Sequence, residues 1–377
     1  MMPRMRRWPG AVLVGGYVNA LGLARALGAL GVRVAVVTTK PFDVAHRSRY
    51  ADGHAAAPDL HERPESLLDV LRRRAGDWRG RHVLPTNDEA VAALAAHHDA
   101  LSSDFRLASP PPEVARVVLD KRLMMEAAVS VGLDVPRVFD GDVGFPAVVK
   151  PLVASRLMAR HGVKAMLARD EAQLDAALAR LGDIPGIVTE YVPGSDSALY
   201  FHVVHLDAHG DPVARATVRK LRQGPPGFGD ARVAQLVDCD PELDEATVAL
   251  ARRIGLTGVA AVEFKRDARD GTLKFIEING RSVVFNALLR HGGCDIAALA
   301  LGARAARGEP RGTWIHLHPD VGYSLRDRIG LSEFLSPYRR GPLIEAAWSA
   351  RDPLPFLAQW ARPPRLGTSG RPAAAGR

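Results

Sequence analysis

The chain has 377 residues, 47% of them hydrophobic and 24% charged, which excludes a small disulfide-stapled scaffold, a collagen-like chain and a largely disordered one. Its formal net charge of +8 comes mainly from the ends, where Arg4, Arg6 and Arg7 precede the first apolar run and four arginines follow Trp360. A nucleic-acid-binding surface needs basic residues clustered on a folded face. The sequence therefore predicts an enzyme-sized globular protein of roughly two or three domains, without a nucleic-acid partner.

The cysteines and the start of the chain indicate the compartment. Cys239 and Cys294 are too few for a disulfide framework, and neither lies in a Cys-x-x-Cys pair, so we expect a reducing cytoplasm and no zinc site. The basic start is followed by an apolar run of about four residues, which is too short for a signal peptide. No apolar run of about 18 residues is present, so we expect no membrane insertion.

The first 112 residues alternate between strand and helix patterns. AVLVGG, NALGLARALGALG and VRVAVVTT predict a strand, a helix and a strand within residues 11–38. The pattern continues with a helix at ESLLDVLRRRAGDWRG, a strand at RHVLPTND and a helix at EAVAALAAHHDAL. Such alternation predicts an open parallel α/β domain. Three successive prolines, 110–112, mark its end, so we place this domain at 1–112.

Two further units follow. A helix at PEVARVVLDKRLMMEAAVSVGL, strands at FPAVVKP and KAMLA, and the Asp-capped helix DEAQLDAALARLG predict a small α+β unit at 113–186. From 187 to 305, the strands GIVTEYVPG, ALYFHVVHL, DPVARATVRKL, GVAAVEFKRD and TLKFIEING, with one helix among them, predict a larger antiparallel sheet. We expect helices in 306–360 and disorder in the Pro/Gly/Ala/Arg-rich segment 361–377.

The last two of these strands form a predicted hairpin, because the Asp-Gly between them suits a tight turn. Residues two apart on a strand share a face, so Glu263, Glu277 and Asn279 can converge. A hard divalent cation such as Mg²⁺ takes carboxylate oxygens together with substrate phosphates. The alternative is a solvated strand face on which Glu263 pairs with Lys265 or Arg281.

Three lysines precede the acidic hairpin. Lys150 ends an apolar strand, Lys121 lies in the helical segment LDKRLM, and Lys164 opens the strand KAMLA. A lysine ammonium group is a compact charge that suits phosphate oxygens, and phosphoryl transfer relies on such neutralisation. Taken singly, each of these residues is also consistent with an ordinary surface lysine.

Together, these segments resemble the ATP-grasp superfamily, specifically its carboxylate-amine ligase-like, acyl-phosphate-forming branch, over roughly residues 11–305. The resemblance implies the ATP-grasp fold: an N-terminal open parallel α/β domain, a small lid subdomain and a larger antiparallel-sheet subdomain, with ATP and Mg²⁺ between the last two. It implies that Lys121 and Lys150 contact the nucleotide phosphates, and that Glu190, Tyr191 and Val192 form the adenine-binding hinge. Asp196 resembles the acid that contacts the ribose. Glu263, Glu277 and Asn279 resemble the Mg²⁺ ligands. Arg281 resembles the arginine placed against the transferred phosphoryl group or substrate carboxylate.

The chain departs from the family pattern in two segments. Many members carry a glycine-rich flap after the second lysine, whereas PLVASRLMARHGVKA contains only Gly162, so the basic side chains of Arg156, Arg160 and Lys164 are expected to cover the phosphates instead. Further on, Arg219, Lys220 and Arg222 precede a Pro/Gly loop that could move over the site. We expect Arg219 to stabilise the anionic intermediate. The alternative is an exposed basic strand.

The glycines of VGGYVNALGLARAL lack G-x-G-x-x-G spacing, so no nicotinamide cofactor is expected. The resemblance instead places this domain beside the substrate, which makes a set of polar residues candidate contacts: Tyr17, Asn19, Thr86, Asn87 and Asp88. The histidines of two histidine-rich segments are expected to be structural: His97, His98, His316 and His318.

The sequence therefore predicts an ATP-dependent ligase that joins a carboxylate to an amine through an acyl phosphate and releases ADP and phosphate. The expected partners are a small-molecule carboxylate and an amine, and the resemblance implies a possible homodimer. Two alternatives stay open at this point: an ATP-grasp kinase or carboxylase, and a non-catalytic nucleotide-binding protein.

Overall fold

The computed structural model describes residues 8–366 with the exception of 59, 340 and 365, so most of the segment predicted to be disordered, 361–377, lies outside the described residues. Three sheets organise this part of the chain. Within it, no helix is both long and apolar enough to span a bilayer.

The N-terminal sheet has five strands in the order β3-β2-β1-β4-β5, and every neighbouring pair is parallel. Its inner strands are buried on both faces because helices cover them, which is typical of a parallel sheet. The predicted α/β layer is therefore present. The strands are β1 (Ala11–Val14), β2 (Val34–Thr38), β3 (Ala51–Ala56), β4 (His82–Pro85) and β5 (Arg106–Leu107); the helices are α1 (Val18–Ala29), α2 (Glu65–Arg73), α3 (Ala75–Trp78), α4 (Asp88–Ala96) and α5 (His98–Ser102).

The second unit has a four-stranded antiparallel sheet in the order β6-β9-β7-β8. Its helices are α6 (Pro112–Leu119), α7 (Lys121–Ser130), α8 (Ala154–His161) and α9 (Glu171–Leu181), and its strands are β6 (Val138–Phe139), β7 (Ala147–Pro151), β8 (Met166–Ala168) and β9 (Gly186–Glu190). The strand β9, expected in the larger sheet, belongs here because it pairs with β7 and β6.

Two local features of this unit differ from those expected from its sequence. The single helix expected from residue 112 is two helices, since the Asp120 carboxylate accepts hydrogen bonds from the N–H groups of Arg122 (2.8 Å) and Leu123 (3.1 Å) and so begins α7 afresh. The segment expected to act as a flap contains the helix α8, which ends at Gly162 in the left-handed conformation (φ 68°).

The third sheet has seven strands in the order β14-β13-β10-β11-β12-β15-β16, antiparallel throughout except for the parallel pair β15–β16. The segment 306–360, expected to be helical, contributes β15 and β16 to this sheet as well as helices. The elements are β10 (Leu199–Leu206), β11 (Pro212–Gly224), β12 (Asp230–Val237), α10 (Pro241–Ile254), β13 (Gly258–Arg266), β14 (Leu273–Asn279), α11 (Asn286–His291), α12 (Ile296–Ala300), β15 (Thr313–Ile315), α13 (Leu317–Arg326), α14 (Leu331–Leu335), β16 (Leu343–Glu345) and α15 (Leu354–Trp360).

The two faces of the large sheet pack against different helices. On one face, Val204 and Val262 pack with Leu250 of α10 and with Met124 of α7. On the other face, apolar side chains join a core that includes α1, α11 and α12. The N-terminal unit and the large sheet therefore share one hydrophobic core.

A buried carboxylate ties the C-terminal segment to the N-terminal unit. Asp352, which is 1% exposed, accepts hydrogen bonds from Arg25 Nε (2.9 Å), Ser48 Oγ (2.7 Å) and the Arg49 N–H (2.9 Å). Arg25 also donates to the main-chain carbonyl of Ala347 (2.8 Å). A buried, fully paired charge of this kind is costly to lose on one side only.

We expect Asp352→Ala to lower the free energy of unfolding by about 3 kcal/mol, because Arg25 would be left largely buried without its counter-ion. Urea denaturation measures the loss. Asp175→Ala, at an exposed position of α9, is the charge-matched control and is expected to change stability by no more than about 0.5 kcal/mol. Equal effects of the two substitutions would contradict the role of Asp352.

Candidate active site

A cavity of about 210 Å³ lies between the small sheet and the large sheet. Its walls bring together the residues expected to bind the nucleotide, the metal and the transferred group, except Arg219 and Asp196. Arg156 and Arg160, which were expected to cover the phosphates, do not line it either, and Arg160 pairs with Asp183 instead. The lining residues from that set are Lys121, Lys150, Lys164, Glu190, Tyr191, Val192, Glu263, Glu277, Asn279 and Arg281, and Asp88 from the N-terminal unit joins them.

The acidic part of the cavity is built by the hairpin of β13 and β14. Glu263 and Glu277 are direct partners in the antiparallel register, so their side chains lie on the same face of the sheet. Asn279 follows two residues along β14, and its side-chain amide donates to Glu277 Oε1 (3.4 Å). Carboxylate and amide oxygens on one surface are a donor set that fits Mg²⁺.

Lysines from different elements compensate the two carboxylates. Lys121 Nζ lies 3.2 Å from Glu277 Oε2, and Lys220 Nζ lies 2.9 Å from Glu263 Oε1. Of the two partners considered for Glu263 from the sequence, Arg281 pairs with Asp88 instead, and Lys265 donates to the Val192 carbonyl (2.8 Å). The acidic surface is therefore a charged site inside the cavity and not a solvated strand face.

These charges move the pKa values of the two acids in opposite directions. Burial raises the pKa of Glu263, and the Lys220 ammonium opposes that rise only in part. Burial would also raise the pKa of Glu277, but Lys121, Lys164 and Arg281 together hold that pKa well below its ordinary value. Glu277 is thus the carboxylate that is firmly ionised at neutral pH.

Lys150, at the end of β7, has a strongly perturbed environment in the cavity. Burial and the nearby Lys121 ammonium together lower its pKa to about 7, although Glu277 acts in the opposite direction. At the rim, Lys164 Nζ pairs with Asp230 Oδ1 at 2.6 Å. The cavity therefore presents several ammonium groups to the acidic hairpin, one of them near its titration midpoint at neutral pH.

The expected hinge runs from Glu190 to Val192 along the cavity wall. The Tyr191 N–H donates to the Pro146 carbonyl (3.0 Å). The Glu190 carboxylate accepts from the Arg137 N–H (3.1 Å) and from Arg269 Nη2 (2.9 Å). Both of its oxygens are thus paired within the protein, so the side chain holds the hinge to the hairpin turn.

Two expected site residues lie elsewhere. Arg219 is on the face of β11 opposite the cavity, because side chains alternate along a strand and its neighbour Lys220 points inward. Its Nε donates to the Ser197 carbonyl (2.6 Å). Asp196 accepts hydrogen bonds from the main-chain N–H (3.1 Å) and side-chain amide (2.7 Å) of Gln223, and it does not line the cavity. Lys220, and not Arg219, therefore faces the cavity.

Arg222, grouped with these residues as a basic segment, also has another role. Its guanidinium donates to both carboxylate oxygens of the buried Asp320, at 3.1 Å and 2.6 Å. This bidentate pair joins β11 to α13. Arg222 is therefore a structural contact between the large sheet and the C-terminal segment.

Of the candidate substrate contacts in the N-terminal unit, Asp88 lies in the cavity, where it accepts from Arg281 Nε at 2.5 Å. Asn19 donates to the Thr86 carbonyl, and Asn87 accepts from the Ala90 N–H (2.8 Å) as the cap of α4. These side chains are used in holding the fold. Tyr17 lies in the wall of a second cavity.

The second cavity has a volume of about 1010 Å³ and adjoins the first, with Lys164 and Asp230 common to both walls. Much of its wall comes from the C-terminal segment, including His316, His318 and Arg362. His316 bonds to the Gln359 side chain (2.8 Å) and His318 to the Arg362 carbonyl (2.9 Å), in line with structural roles. The sequence offered no signal for this cavity, because its walls come from distant segments.

No protein-family model matches the chain, and no curated protein is significantly similar to it. Solved structures do match. An L-amino acid ligase from Bacillus licheniformis is 17% identical, with a TM-score of 0.60 over 79% of this chain and 74% of that one. An N5-carboxyaminoimidazole ribonucleotide synthetase from Thermus thermophilus is 20% identical, with a TM-score of 0.61 over 80% and 81%. A biotin carboxylase from Campylobacter jejuni in a β-γ-ATP complex is 15% identical, with a TM-score of 0.60 over 80% and 73%. At these identities the similarity establishes the fold.

The lowered pKa of Lys150 predicts a pH-dependent stability. Between about pH 7 and the ordinary lysine pKa of about 10.4, the unfolded chain binds the proton that folded Lys150 has lost, so this group makes folding more favourable as pH rises. In denaturant titrations from pH 6 to pH 9, we expect the free energy of unfolding of the wild type to include this rise with pH. Lys150→Met should lack the contribution that Lys150 makes to the rise. Lys274→Met, outside the cavity, should keep it; an identical pH profile for Lys150→Met and the wild type would contradict the assignment.

Proposed function

We propose, from the ATP-grasp fold of this chain, that it is an ATP-dependent ligase that joins a carboxylate to an amine through an acyl phosphate and releases ADP and phosphate. The observation that carries the proposal is the cavity itself. Two paired carboxylates of the large sheet face lysines of the small unit across a space that adjoins a much larger cavity.

In the proposed complex, ATP lies between the small and large sheets. Lys121 and Lys150, with Lys164 at the rim, neutralise its phosphates, and the main chain at Tyr191 and Val192 borders the adenine. Glu263, Glu277 and Asn279 would hold Mg²⁺ through their side-chain oxygens. The ion would supply neutralisation of the negative charge on the phosphates.

The reaction needs no protein nucleophile. An oxygen of the substrate carboxylate attacks the γ-phosphorus, the bond between that phosphorus and the bridging oxygen breaks, and ADP leaves. The amine nitrogen then attacks the acyl carbon, phosphate leaves with the electrons of the C–O bond, and the nitrogen loses a proton. Arg281, fixed by Asp88 at 2.5 Å, is the residue we assign to the anionic groups of this sequence.

We assign the carboxylate and the amine to the second cavity. It shares Lys164 and Asp230 with the nucleotide cavity, so a substrate held there lies next to the phosphate-binding lysines. Its volume of about 1010 Å³ suits two reactants or one extended molecule. The segment after residue 312, which provides His316, Tyr323 and Gln359, would then decide which substrates enter.

A carboxylase is the second candidate, because the matching solved structures include a biotin carboxylase. The chemistry differs only in the acid, with bicarbonate in place of an organic carboxylate. A screen of amino acids and small carboxylates for ATP-dependent phosphate release, repeated with bicarbonate and followed by mass analysis of the product, separates the two. Turnover to a phosphorylated product would indicate a kinase, and ATP binding without turnover a non-catalytic role. The homodimer stays a proposal that light scattering tests.

We expect Glu277→Gln to lower ATP turnover, with the substrates identified by that screen, by at least about 100-fold, because the site loses the carboxylate that is firmly ionised. Circular dichroism should show an unchanged fold. Glu242→Gln, at an exposed position of α10, is the control and should retain the wild-type rate. An undiminished rate in Glu277→Gln would remove this residue from the proposed metal site.

The opposite orientations of two neighbouring residues of β11 give a second test. Lys220→Met is expected to reduce turnover at least about tenfold, because Glu263 loses the ammonium 2.9 Å away. Arg219→Met, on the other face of the strand, should stay within about twofold of the wild type. The reverse order of effects would restore the role first expected for Arg219.

A further inference from the structure

A second group of metal-ligating side chains lies on the face of the large sheet opposite the cavity. His202 of β10, Cys239 just after β12 and Asp244 in the first turn of α10 each place one donor atom within 4.8 Å of the others. The neighbour of His202, Phe201, lines the cavity, so strand alternation turns the imidazole towards α10. We propose that these three residues form a Zn²⁺ site.

The hydrogen bonds around the group resemble the outer contacts of a metal site. The imidazole Nδ1 lies 2.9 Å from Thr217 Oγ1, while Nε2 lies 3.0 Å from Asp244 Oδ1. The second oxygen of Asp244 accepts from Arg215 Nη1 at 2.6 Å. Metal-bound histidines and carboxylates are usually oriented by such partners on their non-ligating atoms.

The hydrogen bond to Thr217 is also compatible with a metal-binding tautomer of His202. If Nδ1–H donates to the threonine hydroxyl, the Nε2 lone pair faces a carboxylate oxygen at 3.0 Å, and the two acceptors are stabilised by a cation that binds both. The opposite tautomer, with Thr217 donating to Nδ1 and Nε2–H donating to Asp244, needs no ion. The two arrangements predict different behaviour towards metal, which makes them separable.

The donor types select the metal. One thiolate, one carboxylate and one neutral imidazole carry a charge of about −2, which a divalent cation neutralises, and sulfur disfavours Mg²⁺ and Ca²⁺. Three protein ligands leave a fourth tetrahedral position for water. Cys239 is exposed, so an ion can reach the group from solvent, whereas His202 is fully buried.

Binding at this point would join three elements directly behind the cavity wall: β10, the turn after β12, and α10. The neighbouring Asp240 is already used, because its carboxylate caps α10 by accepting from the Glu242 N–H (3.0 Å). The sequence predicts no zinc site here, because the three donors share no Cys-x-x-Cys spacing and meet only through strand pairing and helix packing.

The test uses the full chain without an affinity tag, first stripped of metal by a chelator. We expect one equivalent of Zn²⁺ to bind in competition with a chromophoric chelator, and Co²⁺ to give the absorption band of a cobalt–thiolate bond. Cys239→Ser should lose that band and bind Zn²⁺ at least about 100-fold more weakly. Cys294→Ser, which changes the other thiol, should keep both.

A cobalt–thiolate band that is absent from the wild type, or that persists in Cys239→Ser, would overturn the proposal and leave the hydrogen-bonded arrangement. Zn²⁺ is also expected to raise the thermal midpoint of the wild type and not of Cys239→Ser, whose exposed position allows it to fold. Glu277→Gln separates this site from the cavity, since it should bind Zn²⁺ and show the band as the wild type does.

Discussion

The site depends on one electrostatic constraint, the juxtaposition of Glu263 and Glu277 across the β13–β14 ladder. Two carboxylates that face each other directly across a ladder repel when both are ionised. Lys220 and Lys121 offset this repulsion, and they come from different units of the chain. The hairpin can therefore hold both acids only where the small unit and the large sheet meet, which places the charged cavity at their junction.

The hairpin and its acids could be predicted from the sequence because the information is local. An Asp-Gly turn and a two-residue period determine which side chains share a face, and these are short-range properties. The same period does not tell which face of a longer strand meets a cavity. For β11 the choice between Arg219 and Lys220 is made by its pairing with β10 and by irregular register on either side of Arg222, which no local pattern encodes.

Other misses have the same origin. The edge strand β3 has the sequence ADGHAA, without large apolar side chains, and β15 and β16 have three residues each, so these strands carry little hydrophobic periodicity and depend on pairing with their neighbours. The break at Asp120 is a capping event inside an otherwise continuous helical pattern. The second cavity cannot be predicted from local patterns, since its walls join α8, the N-terminal unit and the C-terminal segment. Only the tertiary fold brings Tyr17 near His316.

The helix α8, in place of a glycine-rich loop, changes the kind of force that would grip a polyphosphate. A helix bonds most of its main-chain N–H groups to its own carbonyls, so those dipoles are not turned outward to an anion. The grip then falls to side-chain charges inside the cavity, such as those of Lys121 and Lys150, which salt screens much less than exposed charges. An enzyme built in this way would depend on the protonation of its lysines, which main-chain N–H groups do not require, and alkaline surroundings would weaken its hold on a nucleotide.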